Sequence, residues 1–420
     1  MLSKTTTTAT KEGAKPALVP KLRFPEFRGT EAWHLTTLDS VCEVLNNRRR
    51  PITGNDRTPG PYPYYGASGI VDYVGGFIFD ERLLLVGEDG AKWGAFEKTA
   101  FIAEGKYWVN NHAHVLKPFA ANDTLLENYL TMQDLSPFVT GAAPPKLTLG
   151  KLKGIPVPLP PSPAEQQKIA EFLSSVDGLM AAQARKVDAL KTHKKGLMQQ
   201  LFPREGETQP RLRFPEFETV GEWREGRLAD IATVLQGYGF PERHQGQKSG
   251  DYPFYKVSDI SRSLASGKVF IEESANYINE SLLKELRAKP IPEGTTVFAK
   301  IGEAIRSNRR AITTVPCLID NNAAGVKRIR GKATDMFIYL LMEQISLIDH
   351  AGGVVPAVNK SAIEEIAVKF PEPDEQECIA SCMSSLDALI TAETQKLEAI
   401  KIHKKGLMQQ LFPFPEEVEA

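Results

Sequence analysis

The chain has 420 residues, of which 42% are hydrophobic and 25% charged, and its formal net charge at pH 7 is −1. This length allows two or three domains of ordinary size, and the composition is that of a globular protein. The near-zero net charge gives no bulk signal for nucleic-acid binding, so such a partner would be met by local basic patches. No apolar run approaches the roughly 20 residues that span a bilayer.

The start of the chain and its cysteines favour a cytoplasmic location over secretion. Residues 1–20 are rich in Thr, Lys and Ala, without the apolar segment of a secretion signal, and we expect a disordered leader. Cys42, Cys317, Cys378 and Cys382 form no CxxC pair. The last two lie one turn apart on a predicted helix, where packing is the favoured role. We therefore expect a cytoplasmic protein without disulfides.

The first globular part mixes short strands with turn residues. Strand-like runs occur at 83–86 and 99–102, and short helices are predicted at 35–45 and 124–135. The proline-rich stretch 155–161 reads as a stiff, extended segment. Because strands and helices do not alternate regularly, an α+β fold is predicted.

A long helix follows. Ser162, Pro163 and Glu165 form a helix-start signature, and Pro203 cannot continue a helix. The segment spans roughly 39 residues, or about 58 Å at 1.5 Å per residue. Its apolar residues alternate four and three apart, a heptad seam interrupted by Gln183 and Lys194. The seam residues are Ile169, Leu173, Val176, Met180, Val187, Leu190, Leu197 and Leu201.

The second part of the chain repeats the first. The sequence LRFPEF at 22–27 returns at 212–217, 190 residues later, and HKKGLMQQLFP at 193–203 returns at 403–413. Between them Trp33 matches Trp223, Leu38 matches Leu228, Pro51 matches Pro241, 62–65 matches 252–255, and 109–113 matches 319–323. Strands are predicted at 295–299 and 311–314, with helices at 228–235, 280–287 and 336–348. A period of this size indicates a duplicated domain pair and not a solenoid.

The repeat ends in a second long helix that starts at Pro373 and stops at Pro413. Glu393 and Lys404 interrupt its seam where Gln183 and Lys194 interrupt the first. Polar seam residues fix register and partner, so the match predicts that the two helices pair with each other. The alternative is two unrelated amphipathic helices on separate cores. The second seam consists of Ile379, Met383, Leu386, Ile390, Leu397, Ile400, Leu407 and Leu411.

Two like halves in one chain usually pack about a pseudo-two-fold axis, as a homodimer would. The long helices would then run antiparallel, with the globular halves at opposite ends of a rod that fixes their separation. The globular halves share framework positions and differ in their loops, where recognition is usually placed. This organisation predicts two different readers for a bipartite, asymmetric target.

Several tracts carry a family resemblance over nearly the whole chain. They are YPYYGASGIVDY at 62–73, LLVGEDGAKWG at 84–94, VNNHAHV at 109–115, KLTLGKLKGIPVPL at 146–159, and both KKGLMQQLFP endings. With the duplication, they resemble the specificity subunit of a type I restriction–modification system.

The resemblance implies two α+β target-recognition domains, at 21–161 and 204–372, that each read half of a split sequence in double-stranded DNA. The helices, within 162–203 and 373–413, would be the conserved spacer and the docking surface for two methyltransferase subunits, and 414–420 would be a tail. Motor-nuclease subunits would complete the restricting complex, and the chain itself would be non-catalytic.

Basic, amide-bearing and aromatic residues are the candidates for DNA contact. Arg and Lys can bind phosphates or guanine edges, and Asn suits adenine. The alternative is a solvated charge run with turn-forming asparagines. The candidates of the first part are Arg48, Arg49, Arg50, Tyr64, Tyr65, Lys92, Trp93, Asn110, Asn111, His112, His114 and Lys146. Those of the second part are Tyr255, Lys300, Arg306, Asn308, Arg309, Arg310, Asn321 and Asn322.

Signatures of catalysis and of cofactor binding are missing from the sequence. The HxH formed by His112 and His114 has no carboxylate or cysteine at a telling spacing, so we expect hydrogen bonding or DNA contact and not metal binding. The tract 144–146 is not the Asn/Asp-Pro-Pro-aromatic motif of an adenine methyltransferase, and no Gly-Lys pair precedes Ser or Thr as in a phosphate loop. A self-contained methyltransferase or nuclease, or a coiled-coil scaffold without DNA, remain the alternatives.

The second half departs from the first where VGEDGA becomes 299–304 and HAH becomes 323–325, as expected for a different half-site. Gly196 and Gly406 lie inside the long helices at a cost of about 1 kcal/mol relative to alanine. Close approach of another helix, from the rod partner or a docked subunit, would explain them, and a fraying end is the alternative. We predict helix pairing or subunit docking for Leu173, Val176, Met180, Leu190, Lys194, Gly196, Leu197, Leu201, Phe202, Met383, Leu386, Ile390, Leu397, Lys404, Gly406, Leu407 and Leu411.

Overall fold

The fold is known from a computed structural model that describes residues 18–265 and 267–413. The tail at 414–420 and all but the last residues of the predicted leader lie outside the described residues. The chain forms two compact units. Unit 1 contains the chain up to Arg185 and again from Gln395, and unit 2 contains Lys186–Thr394.

The first repeat is α+β, as predicted. Its strands are β1 His34–Thr37, β2 Cys42–Val44, β3 Pro59–Gly66, β4 Gly69–Val74, β5 Phe79–Asp80, β6 Leu83–Gly87, β7 Ala100–Ala103, β8 Lys106–Val109, β9 Ala113–Pro118 and β10 Pro156–Leu159. Strands β2, β9, β6 and β7 form an antiparallel sheet in that order, strands β4, β3, β8 and β5 form a second sheet, and β1 pairs with β10. The helices are α1 Leu38–Val41, α2 Asp123–Met132, α3 Leu149–Lys153 and α4 Pro163–Leu201.

The second repeat follows the same plan, with one strand more in its main sheet and one strand fewer in the smaller sheet. Its strands are β11 Arg224–Arg227, β12 Ala232–Gln236, β13 Tyr252–Tyr255, β14 Phe270–Ile271, β15 Tyr277–Ile278, β16 Thr296–Ala299, β17 Arg310–Thr313, β18 Leu318–Ile319, β19 Ala323–Arg328 and β20 Ala367–Phe370. The main sheet has the order β12, β19, β16, β17, β14, the smaller sheet has the order β15, β13, β18, and β11 pairs with β20. The helices are α5 Leu228–Ile231, α6 Val257–Ala265, α7 Glu280–Glu285, α8 Asp335–Gln344, α9 Lys360–Glu364 and α10 Pro373–Leu411.

Two local helix predictions are wrong for the same reason. The predicted helix 35–45 is the one-turn helix α1 between β1 and β2, and 228–235 is α5 followed by β12. Strand pairing overrides local helix preference at these two sites. The proline-rich stretch 155–161 is extended, as predicted, and its strand β10 pairs antiparallel with β1.

Each long helix is anchored at its start by a buried carboxylate. The Arg23 guanidinium donates two hydrogen bonds of 2.7 Å to Glu165, and the Trp33 indole donates a third of 3.2 Å. Glu165 belongs to the predicted helix-start signature, and its carboxylate binds the N-terminal segment of its own unit. Unit 2 repeats this arrangement with Glu375, which accepts from Arg213 at 2.8 and 2.7 Å and from Trp223 at 3.2 Å.

The end of a long helix completes the core of each unit. In unit 1 the Phe412 ring lies 6.3 Å from Trp33 and 5.6 Å from Tyr129, within a cluster that includes Leu173 and Leu411. In unit 2 the Phe202 ring lies 5.8 Å from Trp223 and 5.6 Å from Phe337. The repeated ending therefore seals the core beside a long helix that belongs to the other repeat.

The two long helices pair, as the matched seams predict. In unit 2 Lys186 binds Glu393 and Lys194 binds Asp387, each at 2.5 Å. Rising numbers on α4 meet falling numbers on α10, so these segments run antiparallel. The predicted seam residues of both helices are buried or half-buried. The fully buried ones are Ile169, Leu173, Val187, Leu201, Ile379, Met383 and Leu411.

The seam lysines have acidic partners that the sequence analysis did not identify. Lys194 binds Asp387 in unit 2, and Lys404 binds Asp177 at 2.7 Å in unit 1. Both pairs follow the same repeat of the sequence, so the polar interruptions fix the register twice. This agrees with the role predicted for them.

The described residues give no packing explanation for the glycines inside the helices. Both helices continue past Gly196 and Gly406 to Leu201 and Leu411, which excludes a fraying end. A Cβ atom at either glycine would meet no atom within 4 Å, so the paired helix does not require them. That Gly196 and Gly406 allow the close approach of a docked subunit stays a prediction.

The described helices include none that is both long and apolar enough to cross a membrane. All four cysteines are free thiols, and burial raises the pKa of Cys42 and Cys317 to about 12. Cys382 packs against the core of unit 2, as the packing role predicts.

Candidate nucleic-acid interface

Three segments of the first repeat meet where strand β6 ends. Glu88 follows β6, and its amide donates to the His112 carbonyl at 2.8 Å, while its own carbonyl accepts from the Leu147 amide at 2.8 Å. The His112 amide donates to the Asn110 side chain at 2.8 Å, and Thr140 and Lys146 close a loop with two backbone bonds of 2.9 and 2.8 Å. We call residues 88–90, 110–112 and 140–147 the loop edge of unit 1.

Unit 2 contains the same frame. Lys300 takes the place of Glu88, bonding the Asn322 carbonyl at 2.8 Å and the Val358 amide at 2.9 Å. The Asn322 amide donates to the Asp320 side chain at 3.0 Å, and Gly352 and Ala357 close the loop with two bonds of 3.1 Å. Residues 300–302, 320–322 and 352–358 form the loop edge of unit 2. The side chains of Asn110 and Asp320 thus stabilise a turn of the framework, which is the alternative role given above for the asparagines.

The loop edge of unit 1 carries a charge cluster. Glu88 is buried and accepts from Arg49 at 2.5 Å and from Lys146 at 2.7 Å, and Asp89 pairs with His112. Burial opposes the charge of Glu88, but the hydrogen bonds from Arg49 and Lys146 hold its pKa below the usual value. The cations at this edge are therefore positioned by carboxylates and not held loosely in solvent.

The two histidines of the HxH pair have different surroundings. His114 is buried, and its ring nitrogens bond the Leu147 carbonyl at 2.7 Å and the Asn46 side chain at 2.9 Å. Burial lowers the pKa of His114, which favours the neutral ring. His112 instead lies in solvent beside Asp89. Within the described ranges no group of three or more His, Cys, Asp or Glu residues has a metal-binding arrangement.

Several predicted contact residues of unit 1 belong to the framework. Tyr64, Trp93, Asn110 and His114 are buried, and Tyr65 packs against Phe101 and Tyr107. Their polar atoms are used inside the protein: the Tyr64 hydroxyl accepts from the Ile52 amide at 2.9 Å, and the Trp93 indole donates to the Gly87 carbonyl at 3.3 Å. These residues lie outside the candidate DNA surface.

Other candidates of unit 1 are accessible. Arg48 is exposed but bonds Glu81 at 2.8 Å and lies over the Phe79 ring at 4.5 Å, which gives it a structural role. Arg49 supports the charge cluster. The accessible groups that could meet DNA are Arg50, Lys92, Asn111, His112 and Lys146.

Unit 2 divides its candidates in the same way. Tyr255 is buried, and so is Arg310, which donates to the carbonyls of Asn308 at 2.7 Å and Ile345 at 2.6 Å. Burial lowers the pKa of Arg310 to about 10. Asn308 has a left-handed backbone with φ of 49° and donates to the Ile345 carbonyl at 3.1 Å. The side chains of Arg310 and Asn308 therefore brace a loop through the Ile345 carbonyl.

The accessible candidates of unit 2 are Arg306, Arg309, Asn321 and Asn322. Arg306 pairs with Glu303 at 3.0 Å. Lys300 is half-buried, its ammonium bonds the Gln236 side chain, and burial lowers its pKa. Two loop tips, 141–145 and 353–355, are exposed in their units and were not among the predicted contact residues. Their sequences contain no charged or amide side chain that would indicate DNA contact.

Comparisons with known proteins agree with this architecture. The family model of the type I restriction modification DNA specificity domain matches residues 30–192 and 221–402. A Haemophilus influenzae chain named as a type I restriction enzyme specificity subunit is 26% identical over 363 residues, which cover 86% of this chain and 89% of that one. The MjaVIII specificity subunit of Methanocaldococcus jannaschii is 21% identical and covers 92% and 94%.

The fold is also found in a solved structure. The crystal structure of the S subunit of a type I restriction–modification system from M. genitalium superimposes with a TM-score of 0.58 at 14% identity, covering 94% of this chain and 99% of that one. The two family matches fall on the two repeats, each including part of a long helix. The chain therefore belongs to the family of type I restriction–modification DNA-specificity subunits, which recognise DNA and are not themselves catalytic.

Proposed function

We propose that the two loop edges read the two halves of a split, asymmetric sequence in double-stranded DNA. The observation that carries this proposal is that both units use one backbone frame with different exposed side chains. Asn111, His112 and Lys146 occupy the edge of unit 1, and Asn321 and Asn322 occupy that of unit 2. Asparagine suits adenine edges, and lysine suits guanine or phosphate.

The domain limits follow from this proposal. Target-recognition domains at 21–161 and 204–372 would be joined to spacer helices within 162–203 and 373–413. The helix register is fixed by Lys194–Asp387 within unit 2 and by Lys404–Asp177 within unit 1. The paired helices would then serve as the spacer element that sets the length of the unread spacer in the target.

Two copies of a methyltransferase subunit would dock on the long helices, and motor-nuclease subunits would join in the restricting complex. The duplicated, unexplained glycines support this: Gly196 and Gly406 leave open space above each helix at equivalent places. Leu179 and Leu389, again equivalent, are exposed at 54% and 43%. Equivalent features suit two copies of one partner. We place the assembly in the cytoplasm, with access to chromosomal DNA.

The experiment uses the full chain assembled with its methyltransferase. Methylation sequencing of DNA from cells that carry the intact operon would identify the target. The complex should bind this duplex, and scrambling either half-site should abolish specific binding. Replacing Asn321 and Asn322 with alanine should relax recognition in one half-site and leave the other unchanged, by roughly 1–3 kcal/mol per lost bidentate contact. Equal losses in both half-sites, or no dependence on sequence, would contradict the proposal.

A further inference from the structure

The loop tip of unit 2 presents exposed apolar side chains. Val354 is fully exposed and Val355 is 61% exposed. A single exposed valine needs no explanation in a folded protein. These two are adjacent, and the backbone of Lys300 bonds both Asn322 and Val358, so the valines belong to the same loop edge as the exposed Asn321 and Asn322.

The fold holds this tip away from the core. Gly352 and Ala357 close the loop with two backbone bonds of 3.1 Å, and the Gly302 amide donates to the Pro356 carbonyl at 2.8 Å. Gly353 has a φ of 90°, a conformation that favours glycine and turns the chain. The valines therefore cannot fold back onto the apolar core without breaking these bonds.

The tip of unit 1 has the same character. Residues 141–145 read Gly-Ala-Ala-Pro-Pro, all exposed, between the bonded ends Thr140 and Lys146. Both tips lack any side chain that can donate or accept a hydrogen bond, although the rest of each edge is rich in them. The two units differ in the size of the apolar group that they present, alanine in one and valine in the other.

We infer that Val354 and Val355 read thymine by packing against its 5-methyl group in the major groove. This inference rests on the proposed reading of DNA by the loop edges and adds a base to it. The thymine methyl is the apolar feature of the major groove, and apolar side chains contact it. Valine is stiff at χ1, so a pinned pair of valines presents a fixed apolar shape with little rotamer freedom to lose. A protein-binding site would instead show a broad apolar patch, and here the apolar tip is two residues of a loop edge that also carries the exposed Asn321 and Asn322.

The test removes the methyl group from the DNA. The assembled complex is titrated with its target duplex and with duplexes in which each thymine in turn is replaced by deoxyuridine. Loss of one buried methyl should weaken wild-type binding by roughly fourfold at one or two positions of one half-site. The double variant V354A/V355A should bind the thymine and uracil duplexes equally at those positions.

A matched variant controls for the substitution itself. Val315 is 43% exposed in the same unit, and Val315→Ala should keep the wild-type ratio of thymine to uracil binding. Equal binding of both duplexes by the wild type, or a ratio that survives in V354A/V355A, overturns the inference. So does loss of methyltransferase from the purified V354A/V355A complex with an unchanged ratio, which would make the tip a protein contact. Absence of any sequence-specific binding by the wild-type complex would instead refute the proposed function.

Discussion

The buried carboxylate at the start of α4 offers a sharp test of what holds a unit together. Glu165 and Arg23 have side chains that are 1% and 7% exposed, and Glu165 accepts three hydrogen bonds in all from Arg23 and Trp33. Glu165→Gln keeps the shape but leaves the guanidinium buried without its counter-charge. Removal of one partner from a buried pair typically costs 3–5 kcal/mol, and we expect about 3 kcal/mol because the amide oxygen still accepts one bond.

The assay is urea unfolding of the full chain, with Glu375→Gln as the matched variant of the second repeat. A double variant, R23M/E165M, removes both charges, and such apolar replacements are often neutral or stabilising. We therefore expect the double variant to recover most of the stability that Glu165→Gln loses. A loss below about 1 kcal/mol in Glu165→Gln would mean that the pair behaves as a surface ion pair. A double variant as unstable as the single one would equally refute the reasoning.

Three further predictions follow from the same contacts. Phe412→Ala should lower the free energy of unfolding by about 3–5 kcal/mol in a chemical denaturation experiment, because the fully buried ring leaves a cavity beside Trp33 and Tyr129; a change within 1 kcal/mol would contradict this. Burial lowers the pKa of His114, so the unfolded chain takes up a proton first and stability should fall as pH drops below about 6.5. His114→Gln should flatten that part of the stability profile, and an unchanged slope would assign it to other groups. Matched seven-residue insertions after Arg185 and after Thr394 should lengthen the DNA spacer by about 3 base pairs, since seven helical residues span about 10 Å; methylation sequencing that showed the original spacer would refute the proposed role of the helix pair as a spacer.

The long helices could be predicted because their signals are local. The seam, the start at Pro163 and the stop before Pro203 are each readable within one or two turns, and the structure has both helices at 39 residues. The acidic partners of Lys194 and Lys404 were missed because Asp387 and Asp177 lie beside the seam and not on it. Only the facing helix gives them their role.

The candidate site was predictable in residue type but not in orientation. Arg309 and Arg310 are adjacent, yet the first is exposed and the second is fully buried against the Ile345 carbonyl. Strand β17 begins at Arg310 and all four of its residues are buried, whereas Arg309 precedes the strand and stays exposed. The strand begins at Arg310 because that residue pairs with Phe298 of β16. Tyr64 and Trp93 were likewise assigned to DNA for their chemistry, although sheet packing buries both.

The duplicated frame explains how two units of one fold can differ in what they present. The bonds that join Glu88 to His112 and Leu147, and Lys300 to Asn322 and Val358, run between backbone atoms. Backbone bonds place no demand on the side chain, so a carboxylate and an ammonium occupy equivalent positions in the two edges. The carboxylate then recruits Arg49 and Lys146, while the lysine turns to Gln236. Because the frame tolerates this reversal of charge, side chains at a loop edge can change without loss of the fold, and a new sequence preference requires no new architecture.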